Sequence, residues 1–188
     1  TDFYEMFSNR FTQSADTRDY PLSLALRPDG SFVISKGGQQ NTADSPHSGR
    51  ALSISADGKD VSFFAYGMRN GYISGHPTKD LITASDQQGN WVPSTPFHIV
   101  RPDSFLGYRP GAPTAETDIQ SPALWIPHRI AQSGIEQIWV TDERMGTLTD
   151  SILYIEYKKP SIFRIYAPET SRMIQTAGTQ LAVEFETP

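Results

Sequence analysis

Three stretches of the sequence decide its fold: "PDGSFVIS" (28–35), "PTKDLITAS" (77–85) and "GIEQIWVTD" (134–142). Each begins as a turn, continues as a short apolar run and ends in a small or acidic polar residue. Aligned on Phe32, Leu81 and Ile138, the stretches are 49 and 57 residues apart. A four-stranded propeller blade repeats at about 40–50 residues. The spacing therefore favours a β-propeller, because the strands of a sandwich have no regular long period.

The segments around these stretches carry the signals of β-hairpins. Pro28-Asp29-Gly30 separates two apolar runs in "SLALRPDGSFVISKGG" (23–38), and Asp57-Gly58 does the same in "RALSISADGKDVSFFAY" (50–66). Turn residues between runs of alternating apolar and polar residues predict two strands joined by a tight turn. Helix signals are confined to a turn or two within 1–11 and 127–137.

The length of the chain predicts an incomplete propeller. A closed propeller needs about four to eight blades, whereas 188 residues supply three or a little more. We therefore expect an all-β, partial β-propeller built from four-stranded antiparallel blades, with a β-sandwich as the alternative. Residues 1–166 are expected to form blades of a longer chain, and 167–188 a linker and a terminal strand. The expected partners include the remaining blades, from a parent chain or a partner chain.

Composition excludes several classes of function. A net charge of −5 and a pI near 5.3 predict no nucleic-acid partner, because phosphate binding needs clustered Lys and Arg. The chain has no apolar run of about 18 residues or more, so no membrane span is expected. It contains no cysteine, which excludes disulfides, thiolate catalysis and zinc-thiolate sites.

Three ordered motifs carry a resemblance to a known family. The first resembles G-x-R-N-x-x-G and comprises Gly67, Arg69, Asn70 and Gly75, with two more residues before the last glycine than that form has. The second, T-D-N-Q-G-x-W-x-P, is matched by Ser85, Asp86, Gln88, Gly89, Trp91 and Pro93. The third, H-V-x-P-G-x-F-Y-G, is matched by His98, Pro102, Phe105 and Gly107. In this order the motifs resemble the sugar-dehydrogenase-like six-bladed β-propellers, which include soluble quinoprotein glucose dehydrogenases and sorbosone dehydrogenases. The resemblance extends over roughly residues 20–166.

The resemblance implies a cofactor site. Matched residue by residue, it assigns Arg69, Asn70 and Gln88 to contacts with pyrroloquinoline quinone (PQQ), and Gly89 and Asn90 to a calcium ion. The chemistry suits these groups, since a guanidinium pairs with a carboxylate and calcium takes oxygen ligands. It further implies a periplasmic or extracellular sugar or alcohol dehydrogenase-like protein, in which the quinone accepts hydride with the help of calcium.

Departures from the family pattern keep other functions open. Asn90 replaces the Pro of the family's calcium turn, Gln87 is an additional residue, and the histidine base has no counterpart, so the catalytic residues are unknown. Arg69 and Asn70 could instead belong to a turn between blades that is stabilised by side-chain hydrogen bonds. The alternative functions are a non-catalytic propeller module that binds glycans or proteins, and a carboxylate-dependent carbohydrate-active enzyme.

Overall fold

The structure, a computed structural model, describes residues 3–38, 45–87, 92–108, 117–166 and 175–183. Within these ranges the chain forms thirteen strands, β1 to β13, and a 3₁₀ helix at Glu143–Leu148. The strands form three sheets, each built around four strands that lie side by side in their order along the chain. No helix in these ranges is long and apolar enough to cross a membrane.

The first sheet, or first blade, contains the two hairpins that the sequence predicts. Its strands are β1 (Pro21–Leu26), β2 (Phe32–Lys36), β3 (Arg50–Ile54) and β4 (Val61–Tyr66), with β8 (Ser104–Phe105) added at the edge. Gly30 and Gly58 lie in the two predicted turns with φ of +83° and +74°, a backbone conformation that only glycine adopts without strain. Both predicted hairpins are confirmed.

The second and third sheets repeat this arrangement. The second blade is made of β5 (Gly71–Gly75), β6 (Ile82–Asp86), β7 (Ser94–Val100) and β9 (Leu124–Pro127). The third blade is made of β10 (Gly134–Val140), β11 (Ser151–Glu156), β12 (Ser161–Tyr166) and β13 (Gly178–Gln180). All strands within these two blades pair antiparallel. The predicted all-β partial propeller with four-stranded antiparallel blades is confirmed, and the third blade takes its last strand from the segment predicted as linker and terminal strand.

The first strand of each blade lies next to the first strand of the following blade. Ser23 Oγ in β1 accepts a hydrogen bond of 2.7 Å from the Ile73 N–H in β5. Gln137 Nε2 in β10 donates a hydrogen bond of 2.8 Å to the Tyr72 carbonyl in β5. β1, β5 and β10 are therefore the inner strands of the three blades. They run in the same direction, because the Gly38 N–H after β2 donates to the Arg69 carbonyl before β5, and Ser85 Oγ near the end of β6 donates to the Gly134 carbonyl at the start of β10.

Two apolar clusters fill the spaces between the blades. The cluster between the first and second blades contains Ala25, Val33, Ala51, Phe64, Ala65, Met68, Ile73, Ile82, Ala84, Val100 and Leu106. The cluster between the second and third contains Phe97, Ala123, Ile126, Ala131, Ile152, Tyr154, Phe163 and Ile165. Burial of these side chains provides the main driving force that holds the blades together.

The structure corrects the third member of the sequence repeat. Phe32 opens β2 and Leu81 immediately precedes β6, so both mark the second strand of a blade. Ile138 instead lies in β10, which is the first strand of its blade, and the true counterpart is β11. The second blade is longer because the connection from β7 to β9 carries β8, which pairs in parallel with β4.

Neither of the two weak helix signals corresponds to a helix. Residues 3–10 contain no helix, and from 134 onward the second segment is strand β10. In β10, Gln137 is buried and its neighbours Glu136 and Ile138 are exposed, which is the alternation of a strand.

Candidate functional site

The turn at 67–70 and the loop that follows Asp86 meet at one end of the second blade. β5 begins at Gly71 and β6 ends at Asp86, and the antiparallel register places Gly71 opposite Asp86. Since the inner strands run in the same direction, the turns before β1 and β10 lie at the same end of their blades. We call this end, where the inner strands begin, the Arg69 end.

Asp86 fixes the backbone of the Arg69–Asn70 turn. Its side chain is only 1% exposed. The two carboxylate oxygens accept hydrogen bonds from successive main-chain N–H groups, at 2.9 Å from Arg69 and 2.7 Å from Asn70. Hydrogen bonds to a charged acceptor are about twice as strong as neutral ones. The turn is therefore held by a residue from the neighbouring strand.

The Arg69 guanidinium is held beside the loop that carries the remaining predicted residues. It is half-buried, and its Nη1 donates to the Gln87 carbonyl at 3.0 Å and to Gln87 Oε1. Tyr108 lies against the same group. Burial raises the pKa of Tyr108, and this effect together with the Asp86 charge outweighs the opposing influence of the Arg69 cation. Arg69, Gln87 and Tyr108 thus form a polar cluster above the buried carboxylate.

The predicted site residues divide into two groups. Arg69 and Asn70 lie together at the Arg69 end. Gln88, Gly89 and Asn90 lie outside the described residues, so their assignment stays a prediction. Sequence reasoning did not single out Asp86 or Tyr108 as site residues. The signal for Asp86 was present, since it belongs to the second motif, but its role depends on the strand register.

The third blade also has a buried carboxylate that accepts hydrogen bonds from the turn before its inner strand. Glu156 ends β11 opposite Gly134, is 2% exposed, and accepts hydrogen bonds of 2.7 and 3.0 Å from the Ser133 N–H. A buried carboxylate at the end of the second strand therefore holds the turn before the inner strand in both blades. The main-chain contacts of the Arg69–Asn70 turn are thus shared with the turn before β10. Only the side chains of Arg69 and Asn70 distinguish the two turns.

In the first blade, the residue at the end of the second strand is a lysine instead of a carboxylate, and the carboxylate lies in the segment before the inner strand. Lys36 ends β2 opposite Pro21, and its Nζ lies 2.7 Å from Asp19 Oδ1 in the segment that leads into β1. Neither side chain is exposed to solvent. Lys36 Nζ also donates to the Thr12 carbonyl, and Asp19 Oδ2 accepts from the Ser14 N–H at 2.7 Å.

The four histidines lie on strands and connections other than the Arg69–Asn70 turn. His98 is fully buried in β7, and His76 is buried in the connection from β5 to β6, at the opposite end of the blade. His47 Nδ1 accepts a main-chain hydrogen bond of 2.8 Å from the N-terminal segment. His128 is half-buried in the loop that leads into β10. Among the described residues, no group of three or more His, Asp and Glu side chains could hold a metal ion.

Sequence comparison identifies no relative. No known family matches the chain, and no curated protein matches it either.

Solved structures, in contrast, match the fold well. An oxidoreductase (glucose dehydrogenase) of Thermus thermophilus matches with a TM-score of 0.69 and 13% identity, over 93% of this chain and 56% of that one. The PQQ-bound aldose sugar dehydrogenase of Streptomyces coelicolor matches with a TM-score of 0.63 and 14% identity, over 84% and 47%. The soluble aldose sugar dehydrogenase of Escherichia coli, in its apo form, matches with a TM-score of 0.60 and 10% identity, over 81% and 51%. The chain spans about half the length of these structures, and over that half it has the fold of a sugar-dehydrogenase-like β-propeller.

Proposed function

We propose that the chain is a propeller segment of a sugar or alcohol dehydrogenase-like protein that binds a quinone at the Arg69 end. In this proposal Arg69, Asn70 and Gln88 contact PQQ, while Gly89 and Asn90 provide oxygen ligands to calcium. The substrate class is a small sugar or related alcohol, and the location is periplasmic or extracellular. The fold is supported by structural similarity to sugar dehydrogenases, one of which is PQQ-bound.

One observation carries the quinone proposal: the Arg69–Asn70 turn is rigidly held while its guanidinium remains half-exposed. Asp86 anchors two successive N–H groups of the turn, so the side chains project from a fixed backbone. Gln87 and Tyr108 flank the guanidinium. A pre-positioned arginine is suited to a ligand carboxylate, because its donors match the two oxygens and little side-chain entropy is lost on binding.

The described residues fit the carboxylates of the quinone. Arg69 would pair with a carboxylate, the Asn70 amide would orient a carbonyl or carboxylate oxygen, and the Tyr108 hydroxyl would hold the guanidinium in place. When bound, the quinone supplies an acceptor for hydride from the sugar or alcohol. Asp86 gives both oxygens to main-chain N–H groups and serves to position the turn. Of the two calcium ligands, only Gly89 follows the family pattern, and both lie outside the described residues.

Replacing Arg69 by Ala is expected to weaken quinone binding about tenfold to hundredfold, the value of one hydrogen-bonded charge pair. Titration of the protein with PQQ, with and without calcium, followed by absorbance or calorimetry, measures the dissociation constant. Arg144→Ala is the matched control, because Arg144 lies on the 3₁₀ helix at the other end and its side chain is 89% exposed. A wild-type protein that does not bind the quinone, or an Arg69→Ala protein that binds it equally well, would contradict the proposal.

Asp86→Asn and Glu156→Gln form a matched pair that separates binding from stability. Both remove a buried carboxylate that accepts main-chain N–H groups, so each should lower the free energy of unfolding by about 1–3 kcal/mol. Only Asp86→Asn should also weaken quinone binding, because only that turn carries Arg69. Urea unfolding and quinone titration test the two effects. Equal losses of binding in both variants would mean that the turn acts only through overall stability.

A non-catalytic glycan-binding or protein-binding module is the second candidate. The placement of the histidines favours it, because His98 is buried in the core, His76 lies at the opposite end, and His47 is bound to main chain. His47 and His128 lie in the β2–β3 and β9–β10 connections, so the proposed dehydrogenase would need its base from one of these two loops or from outside the described residues. Isothermal titration with neutral oligosaccharides distinguishes the two: saturable binding without turnover, and without affinity for the quinone, would support the module.

A further inference from the structure

Two turns at the Arg69 end of the third blade carry only positive charge. They are residues 128–133, which lead into β10, and 157–160, which join β11 to β12. Neither turn contains an Asp or Glu, and their charged residues, all exposed, are Arg129, Lys158 and Lys159. At the opposite end of the same blade, the connection 141–150 contains three carboxylates and one arginine. The third blade is therefore polarised, with its positive end beside Arg69.

A single buried carboxylate holds the backbone of both turns. Glu156 accepts hydrogen bonds from the Ser133 N–H. Its Oε1 also accepts from the main-chain N–H groups of Lys158 and Lys159, at 3.0 and 3.4 Å. The Tyr157 N–H donates to the Ser133 carbonyl at 2.9 Å and ties the two turns together. The two lysines are therefore carried on a fixed backbone.

The lysine side chains are anchored without being neutralised. Lys158 Nζ donates to Gln132 Oε1 at 2.5 Å. Lys159 Nζ donates to the main-chain carbonyls of His128 and Arg129. These acceptors are uncharged, and among the described residues neither the two lysines nor Arg129 form an ion pair. An ammonium group has three donors, so each lysine keeps at least one for an anionic ligand.

Aromatic surface lies beside these cations. Tyr157 is 71% exposed in the same turn as the lysines. Ile130, the residue after Arg129, lines a groove of about 310 Å³ whose wall includes Trp125, which is 48% exposed. Aromatic faces next to cations suit a saccharide with acid groups, because sugar rings stack on aromatic side chains while the acid groups pair with the cations.

We propose that these two turns and the adjoining groove bind an acidic saccharide, a sugar or short sugar chain with carboxylate, sulfate or phosphate groups. Its acid groups pair with Arg129, Lys158 and Lys159, and its rings contact Tyr157 and Trp125. The choice of a saccharide rests on the proposed function, and it names an acidic sugar as the substrate class of that function. A nucleic acid is the less favoured polyanion, because a net charge of −5 repels a long chain of phosphates.

Isothermal titration with tetragalacturonate tests the site, with its fully methyl-esterified form as the neutral counterpart and a sulfated maltotetraose as the alternative acid. The wild type should bind at least one of the two acidic tetrasaccharides, and more weakly as salt is added. It should bind the methyl ester at least about tenfold less tightly. No binding of either acid, equal affinity for acid and ester, or tighter binding of a single-stranded oligonucleotide would overturn the proposal.

Substitution of the cations locates the site. Lys158→Met combined with Lys159→Met should weaken binding of the acidic tetrasaccharide at least about tenfold, whereas the same pair of substitutions to Arg should retain it. Arg129→Gln leaves the lysine contacts in place and should weaken binding about threefold. Lys79→Met is the matched control, since Lys79 is exposed in the connection from β5 to β6, at the opposite end. A double Met variant that is folded by circular dichroism and binds like the wild type would refute the site.

Titration with the quinone separates this site from the proposed function. A protein that binds the quinone but neither acidic tetrasaccharide lacks the saccharide site and keeps the proposed function. A protein that binds an acidic tetrasaccharide through the two lysines, but does not bind the quinone, keeps the saccharide site and lacks the quinone.

Discussion

Replacing Lys36 by Met is expected to lower the free energy of unfolding by about 3–5 kcal/mol, the usual cost of breaking a buried ion pair. Lys36 Nζ lies 2.7 Å from Asp19 Oδ1, and neither side chain is exposed. Without the ammonium group, the Asp19 carboxylate remains buried with a charge that the hydrogen bonds from the Ser14 N–H and hydroxyl stabilise only in part. The N-terminal segment also loses the bond from Lys36 to the Thr12 carbonyl.

The pH dependence of this defect identifies its cause. Burial acts to raise the pKa of Asp19, but hydrogen bonds from Lys36 and Ser14 outweigh it and hold the pKa below its ordinary value. In the wild type, Asp19 therefore contributes stability that is present at neutral pH and is lost as pH falls through the carboxylate range. In Lys36→Met the pKa of Asp19 should instead rise. Its destabilisation should then shrink as the pH falls and the buried carboxylate becomes neutral.

An exposed ion pair supplies the control. Lys59 Nζ lies 3.1 Å from Asp57 Oδ2, but the two side chains are 75% and 57% exposed. Lys59→Met should therefore change the free energy of unfolding by less than about 1 kcal/mol. Adding Asp19→Leu to Lys36→Met should recover much of the lost stability, because it removes the unpaired charge. Urea unfolding measures all four proteins, and equal effects of the two lysine substitutions would contradict the expectation.

Turn chemistry made part of the fold predictable from sequence. Asp29-Gly30 and Asp57-Gly58 mark the turns of two hairpins, because a left-handed backbone position requires glycine. The inner strand β5 gave no such signal. Its sequence, Gly71 to Gly75, has glycine at both ends, and it is held as a strand by its pairing with β6 and by Ser23 and Gln137, which bind its backbone from the neighbouring blades. Tertiary contacts therefore decide this element.

The candidate site was predictable to the extent that its motif is local. Arg69 and Asn70 are adjacent, so a family motif can identify them. The role of Asp86 depends on which residue of β6 lies opposite Gly71, and an error of one residue in register would turn its side chain to the other face. Tyr108 reaches Arg69 because β8 pairs in parallel with β4, a contact between distant segments that no local pattern indicates.

His98→Leu is expected to make the protein less sensitive to acid. His98 is fully buried in β7, and neither ring nitrogen forms a hydrogen bond of good geometry with the described residues. Burial lowers the pKa of His98 to about 3, and the main chain of Leu106 offsets this only in part. The folded protein thus holds this imidazole neutral under conditions in which the unfolded chain protonates it.

The sign of the effect follows from the two pKa values. The folded pKa is near 3 and the ordinary value is 6.5, so the unfolded chain binds more protons between them and stability falls as the pH drops through that range. From about pH 8 to about pH 4 this one group should remove about 3 kcal/mol from the free energy of unfolding of the wild type. His98→Leu lacks this contribution, and it also removes two buried nitrogens that are poorly satisfied.

The test compares urea unfolding of the wild type and His98→Leu across this pH range. Near pH 8 the two should differ little, because the loss of ring volume opposes the removal of the buried polar atoms. As the pH falls, the variant should become progressively more stable than the wild type, while the carboxylates that both proteins share cancel in the difference. His47→Leu is the control: burial, with the charges of Lys36 and Arg50, also lowers the pKa of His47, but this residue is only half-buried, so its variant should gain less stability as the pH falls. Parallel curves for wild type and His98→Leu would show that His98 finds a partner or water when protonated, and would refute its assignment as an acid-sensitive group in the core.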